Sequence, residues 1–201
     1  MCALSACTPR GEAPLPPDIE AVVARLEEAI DRRDYEAAHA LVDYRYRLGE
    51  VLGDFWSSAP KMAQEDLVAF TKTMFEDTTE RLREHFEGRT MTHVRRGSNG
   101  PHLMVESRPV ARSKDEKRRF SWSYRLTRTE GTWMITQREY MVAGTPSDST
   151  RFWPMARSQV AARFGREITF EEFVANLPSV MGTMRIRGIT IPDLRSQKRT
   201  P

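Results

Sequence analysis

Histidines and a few carboxylates are the side chains in this sequence whose types suit proton transfer or metal binding. His39, His85, His93 and His102 fall in separate segments. No two share a helical turn, and neither HExxH nor HxH is present. His85 lies on the inner stripe of a long helical segment and reads as a hydrogen-bonded core residue. Glu106, Glu139 and Asp148 stand on or near segments of strand character, where one carboxylate beside an apolar pocket suits proton transfer. By strand parity Glu139 falls on an aromatic face, opposite Trp122. It reads either as a polar group at a pocket mouth or as a strand-end residue paired to an arginine. No P-loop, GxGxxG or GxSxG occurs. Gly97-Ser98-Asn99-Gly100 is a turn cluster with no helix start behind it to cradle a phosphate. The sequence therefore assigns no catalytic residue, no metal site and no cofactor.

Cys2 and Cys7 are the two cysteines, both at the N-terminus. The body of the chain thus has no internal disulfide and no thiolate metal site. Leu4-Ser5-Ala6-Cys7 has the form of a bacterial lipobox, in which the cysteine thiol carries lipid. An export signal also needs a charged n-region and an apolar h-region of about 7–15 residues. Either the true start lies upstream or the match is chance. Pro9, Pro14, Pro16 and Pro17 give the following segment a tether composition. Residues 1–17 read as an export or tether segment, 18–190 as one α+β domain, and 191–201 as a flexible tail.

The apolar residues carry most of the information. Leu48, Val51, Leu52, Phe55 and Trp56 fall on one helical face. After Ser57-Ser58-Ala59, Pro60 opens a second helix that can run to Glu87 before Gly88, roughly 42 Å at 1.5 Å per residue. Its inner stripe is Leu67, Phe70, Thr71, Met74, Thr78, Leu82, His85 and Phe86. Ahead of this pair, Asp18 reads as an N-cap for a helix with Ile19, Val22, Val23, Leu26 and Ile30 inward, and Asp34 caps a shorter one.

Past Gly88 the period changes to two. Strands are expected over 90–96 and 103–110. The clearest alternation follows, with Phe120, Trp122, Tyr124 and Leu126 between polar neighbours. Glu130-Gly131 is a hairpin turn, and Trp133 to Val142 returns. This pairs Leu126 with Ile135, Tyr124 with Gln137 and Phe120 with Met141. One face then carries Phe120, Trp122, Tyr124, Leu126, Ile135 and Met141, a fitting partner for the long helix. A helix to Phe164 is closed by Gly165. Another starts at the capping box Thr169-Phe170-Glu171-Glu172 and ends before Pro178.

The chain has 201 residues, 39% hydrophobic and 29% charged, with a net charge of +3. Its cations are 26 Arg against 5 Lys. That excess fits contact with anionic surfaces or a compositional bias, since acidic residues are mixed in throughout. Arg95, Arg119 and Arg125 have few aromatics beside them, so nucleic acid is not an expected partner.

Leu52-Gly53-x-Phe55-Trp56, a break with Ala59, and a long helix bearing Phe70 and Leu82 together resemble the MlaC-type toluene-tolerance family. Tyr124-Arg125-Leu126, Gly131-x-Trp133-x-Ile135 and the helical segment after Phe152 continue the resemblance over roughly 44–177. There are departures. The glycine after Glu139 comes about two residues late, at Gly144, and Arg138 stands where the family tends to have an aliphatic residue. The resemblance implies a periplasmic phospholipid shuttle that is not an enzyme. Its partners would be an MCE-domain inner-membrane transporter and an outer-membrane lipoprotein complex. A lipidated Cys7 would tether it to a membrane. The implied fold is α+β, a curved antiparallel sheet of about four strands against a helical layer. Trp56, Phe70, Met74, Phe86, Phe120, Trp122, Tyr124, Ile135 and Met141 would line an acyl-chain pocket between the layers. Two alternatives stay open. One is an NTF2-like small-ligand domain, including an isomerase- or dehydratase-type enzyme, with a narrower cavity and a buried His or Asp at its base. The other is a surface lipoprotein scaffold with a filled core.

Overall fold

The computed structural model describes residues 15–110, 120–142, 145–146, 152–181, 185–186 and 189–190. Cys7 with its lipobox, and the tail 191–201, lie outside the described residues, as does Asp148.

The architecture is α+β. Helices α1 (Pro17–Asp31), α2 (Tyr35–His39), α3 (Tyr44–Leu52), α4 (Asp54–Ser57) and α5 (Lys61–Leu82) lead through a 3-10 turn (Arg83–His85) into the sheet. Its strands are β1 (Met91–Asn99), β2 (His102–Pro109), β3 (Phe120–Thr129), β4 (Thr132–Val142) and the two-residue β5 (Thr145–Pro146). They run antiparallel in sequence order, so the sheet is a meander of four long strands with a short fifth. Helices α6 (Phe152–Phe164) and α7 (Phe170–Met181) follow. The short ladder of β6 (Arg185–Ile186) with β7 (Ile189–Thr190) comes last.

Local chemistry explains most boundaries. Asp34 accepts from the Ala37 amide at 3.1 Å and Asp43 from the Tyr46 amide at 2.9 Å, so each caps the helix it precedes. Thr169 and Glu172 bond each other's backbone amides in a reciprocal capping box. Asp18 is not a cap. α1 begins at Pro17, where the missing N–H costs nothing, and Asp18 instead accepts from the Trp133 indole at 3.1 Å. Leu15, within the stretch read as a tether, is buried against the sheet. Gly53, at φ 52, divides the expected helix of 48–56 into α3 and α4. α7 continues through Pro178. Leu177 and Val180 on either side are fully buried, and their packing offsets the cost of an interior proline, about 3 kcal/mol.

The β3–β4 hairpin turns at Glu130 and Gly131 with φ of 51° and 82°, the two positive values of a type I′ turn. Leu126 faces Ile135 as the alternation predicts, but the register then slips. Arg125 pairs with Gln137, which leaves Thr136 as the extra residue of a bulge. A one-residue slip reverses which face each following side chain occupies. Tyr124 consequently faces Arg138, Trp122 faces Tyr140 and Phe120 faces Val142. Glu139 pairs with Ser123 and Met141 with Ser121. Both therefore lie on the face away from Trp122, which corrects the parity assigned to each. The bulge sits where the Leu41–Asp43 linker docks. Ile135 donates to Leu41 O at 3.0 Å, and Asp43 donates to Ile135 O at 2.8 Å.

The long helix also differs from expectation. Its partner is not the sheet alone, because the buried residues form two clusters. One comprises α1, α2 and the aromatic sheet face, with Val23, Leu26, Val105, Tyr124, Leu126 and Ile135 at its centre. The other joins α3, α5, α6 and α7 around Leu48, Leu67, Phe173 and Leu177. α5 spans both. Leu67, Val68, Phe70 and Met74 belong to the helical cluster. Leu82 and Phe86 belong to the sheet cluster, and Phe75 touches both.

Candidate functional site

Where the C-terminal end of α5 crosses the sheet, a cavity of about 40 Å³ opens between α1, the 3-10 turn and strands β1, β3 and β4. Ile30, Phe86, Met91 and Trp122 give it apolar walls. Glu27, Thr79 and Arg138 form its polar interior, and Asp31, Arg83, Glu87 and Arg89 surround its opening. At roughly 10–15 Å³ per water it holds about three water molecules.

Each polar group arrives from a different element. The bulge turns Arg138 toward the aromatic face. Its guanidinium carbon lies 3.4 Å from the Trp122 ring centroid and 4.9 Å from that of Phe75, a cation–π sandwich. Arg138 donates to the Thr79 hydroxyl at 2.7 Å. Its Nε is buried without a hydrogen-bond partner. Burial pulls its pKa down, opposed by Tyr124 and Glu27. A guanidinium nevertheless stays cationic near neutral pH. The Tyr124 hydroxyl is fully enclosed and donates to Glu27 at 3.0 Å. Burial pushes this phenol well above its usual pKa, and the Glu27 charge adds to the shift. His93 Nε2 approaches the other Glu27 oxygen at 2.9 Å, and this hydrogen bond raises the imidazole pKa against the opposing effect of burial. A polar relay thus runs His93–Glu27–Tyr124 and meets Arg138 and Thr79 at the cavity floor.

The opening is fastened at one corner. Arg83 donates to Ile30 O at 3.1 Å and to both Glu80 oxygens, at 2.9 and 3.0 Å. Hydrogen bonds from Arg83 and Tyr35 hold the Glu80 carboxyl down at about 2. The fastening ties the end of α1 to the end of α5.

The residues expected to line a pocket are divided by this arrangement. Phe86 and Trp122 line the cavity. Phe120, Tyr124 and Ile135 lie in the same sheet cluster, where Phe120 stacks on His85 at 4.2 Å and on Tyr140 at 5.6 Å. Trp56, Phe70 and Met74 pack into the helical cluster, with Trp56 beside Phe170. Met141 points to the opposite sheet face through the bulge. Glu27, Thr79 and Arg138 escaped the sequence reading, apart from Arg138 as a family departure. Glu27 and Tyr124 are far apart in sequence, and no short motif connects them.

The opposite sheet face carries a second polar group of side chains. Arg125 bonds Glu50, and its Nη2 also meets His102 Nε2 at 2.5 Å. His102 Nδ1 meets Thr127 Oγ1 at 2.6 Å. Burial and the Arg125 charge lower the His102 pKa. The buried Glu106 pairs with Arg96. These groups pair with one another, and the network reaches the surface at Glu50 and Arg96. Among the described residues no three His, Cys, Asp or Glu side chains converge as a metal site. No described helix is long and apolar enough to cross a membrane.

Fold and cavity together define an α+β domain with a sheet-walled pocket. The same fold occurs in a phospholipid-binding protein from Ralstonia solanacearum, solved in complex with a phospholipid. The likeness has a TM-score of 0.58 at 13% identity and covers 83% of this chain and 96% of that one. No protein-family model matches the sequence, and no curated protein matches it significantly.

Proposed function

We propose that this protein binds a lipid between the α5 end and the aromatic face of the sheet, and carries it without bond-making. The observation that carries this reading is the fold shared with a protein solved around a phospholipid. The cavity on the aromatic face lends support, since it combines apolar walls with a few convergent polar groups. Its present volume admits no acyl chain, so the loaded form separates surfaces that pack together here. Apolar burial of about 0.8 kcal/mol per CH₂ offsets that separation. In the MlaC-type reading the protein is a periplasmic shuttle. It receives phospholipid from an MCE-domain transporter or an outer-membrane lipoprotein complex and hands it to the other. A lipidated Cys7 would then limit its reach to the membrane that holds it.

Native mass spectrometry of the full chain produced in bacteria tests the proposal. Co-purified phospholipid is the expected result. A bare polypeptide mass after gentle purification, with no mass gained on incubation with phospholipid vesicles, overturns it.

A second reading is favoured by the small cavity and by the His93–Glu27 pair behind it. These features match a small-ligand domain of the NTF2-like kind, possible host to an isomerase or dehydratase. Turnover abolished by Glu27→Gln, in a protein that takes up no lipid, would select this reading.

A further inference from the structure

We propose that Arg138 is the receptor for an anionic group, a carboxylate or phosphate, that enters the cavity ahead of the ligand's apolar part. This rests on the lipid-binding reading for the apolar part, while the anion contact stands on the cavity itself. The Arg138 guanidinium reaches the cavity between Trp122 and Phe75. Its hydrogen bonds go to the Thr79 and Tyr124 hydroxyls, neither of which carries charge near neutral pH, and its Nε is buried without a partner. Glu27, the carboxylate whose charge it feels, is already engaged by His93 and Tyr124. A cation in an apolar setting with an unused donor gains most from a counter-ion that brings its own acceptors. Space for about three water-sized groups suits a carboxylate. Ile30, Phe86 and Met91 then flank the attached chain. The polar end of the ligand would therefore face inward, the reverse of a pocket that takes acyl tails first and leaves the head group in solvent.

The test compares dodecanoate, uncharged dodecanol and inorganic phosphate on the full chain, by calorimetry below the micelle threshold. Dodecanoate is expected to bind about 10- to 100-fold more tightly than dodecanol, the discrimination a charged hydrogen bond supplies. Arg138→Leu should remove that preference and leave dodecanol binding in place. Without Arg138 the Thr79 hydroxyl still donates to Phe75 O and the Tyr124 hydroxyl to Glu27, so no buried donor is left unpaired and this variant should fold. Arg138→Lys keeps the charge, should keep part of the preference, and serves as the reference should the leucine variant unfold. Equal binding of dodecanoate and dodecanol by the wild type overturns the inference and leaves lipid binding intact. Phosphate binding that is lost in Arg138→Leu, with no uptake of either amphiphile, supports the anion site and overturns the lipid reading. Absence of binding by all three probes overturns both.

Discussion

At the scale of single residues, His93 is the histidine beside the cavity whose pKa is raised. Its imidazole meets Glu27 at 2.9 Å and Glu20 at 3.9 Å, and the Tyr124 hydroxyl approaches the same Glu27 from the other side. The folded pKa lies above the ordinary 6.5, chiefly through the Glu27 hydrogen bond. A raised histidine pKa contributes stability that is fully present below the unfolded value and lost as pH rises through the folded one. His93 should therefore contribute a decline in thermal stability as pH climbs from about 6.5, opposite in sign to the contribution of His102, whose pKa is lowered. The Tyr124 phenol does not interfere, because burial moves its titration far higher. His93→Gln should remove the His93 contribution, measured as melting temperature against pH from about 5.5 to about 8.5. An unchanged slope in that variant would show that the His93–Glu27 bond does not govern stability. Little of this network was legible beforehand. His93 was visible only as one of four unclustered histidines. Its partner lies 66 residues away on another element, and a hydrogen bond between a helix and a strand leaves no periodic trace.

Among the elements, the β3–β4 hairpin was the most legible and also held the largest surprise. Alternation located Phe120, Trp122, Tyr124 and Leu126, and Glu130-Gly131 located the turn. The bulge at Thr136 was invisible, because Ile135, Thr136 and Gln137 offer no run of apolar residues whose phase could slip. Yet that bulge decides whether position 138 or 139 meets the pocket. The turn itself allows a direct check. Glu130 holds φ 51°, where a residue with a Cβ is strained by about 1–2 kcal/mol and asparagine is better tolerated. Glu130→Asn should raise stability by about 0.5–1 kcal/mol, completing an Asn-Gly type I′ turn. Gly131→Ala, at φ 82°, should lower it by about 1 kcal/mol or more. Both are read from urea unfolding midpoints.

Asp43 is the matching test on the helical side. It caps α3 through the Tyr46 amide, accepts from Thr129 at 3.2 Å, and its own amide bonds Ile135 at the bulge. Asp43→Ala should cost about 1–2 kcal/mol, toward the upper end of a lost cap because the Thr129 contact goes with it. A cost near zero would mean that packing alone holds the α3 start.

For the whole molecule, the decisive feature is that α5 serves two cores. Its stripe was legible, but a stripe does not say what covers it, and one partner was assumed where there are two. The N-terminal half is locked by Leu67 and Val68 against Leu48, Phe173 and Leu177. The far end closes over the sheet through Leu82, Phe86 and a single 3-10 turn, a shorter and less regular structure than the helix before it. If a ligand chain enters at the cavity, the end with fewer buried contacts should move and the locked half should not. Hydrogen exchange measured with and without bound phospholipid reads this directly. Protection should change over residues 83–91 and the end of α1, which Arg83 ties to the same corner. Residues 63–70 should exchange at the same rate in both states. A change spread evenly along α5 would mean that the two cores open together, and the helix would then be a rigid lever hinged outside the helical cluster. No change at either end, with lipid demonstrably bound, would place the ligand away from this cavity altogether.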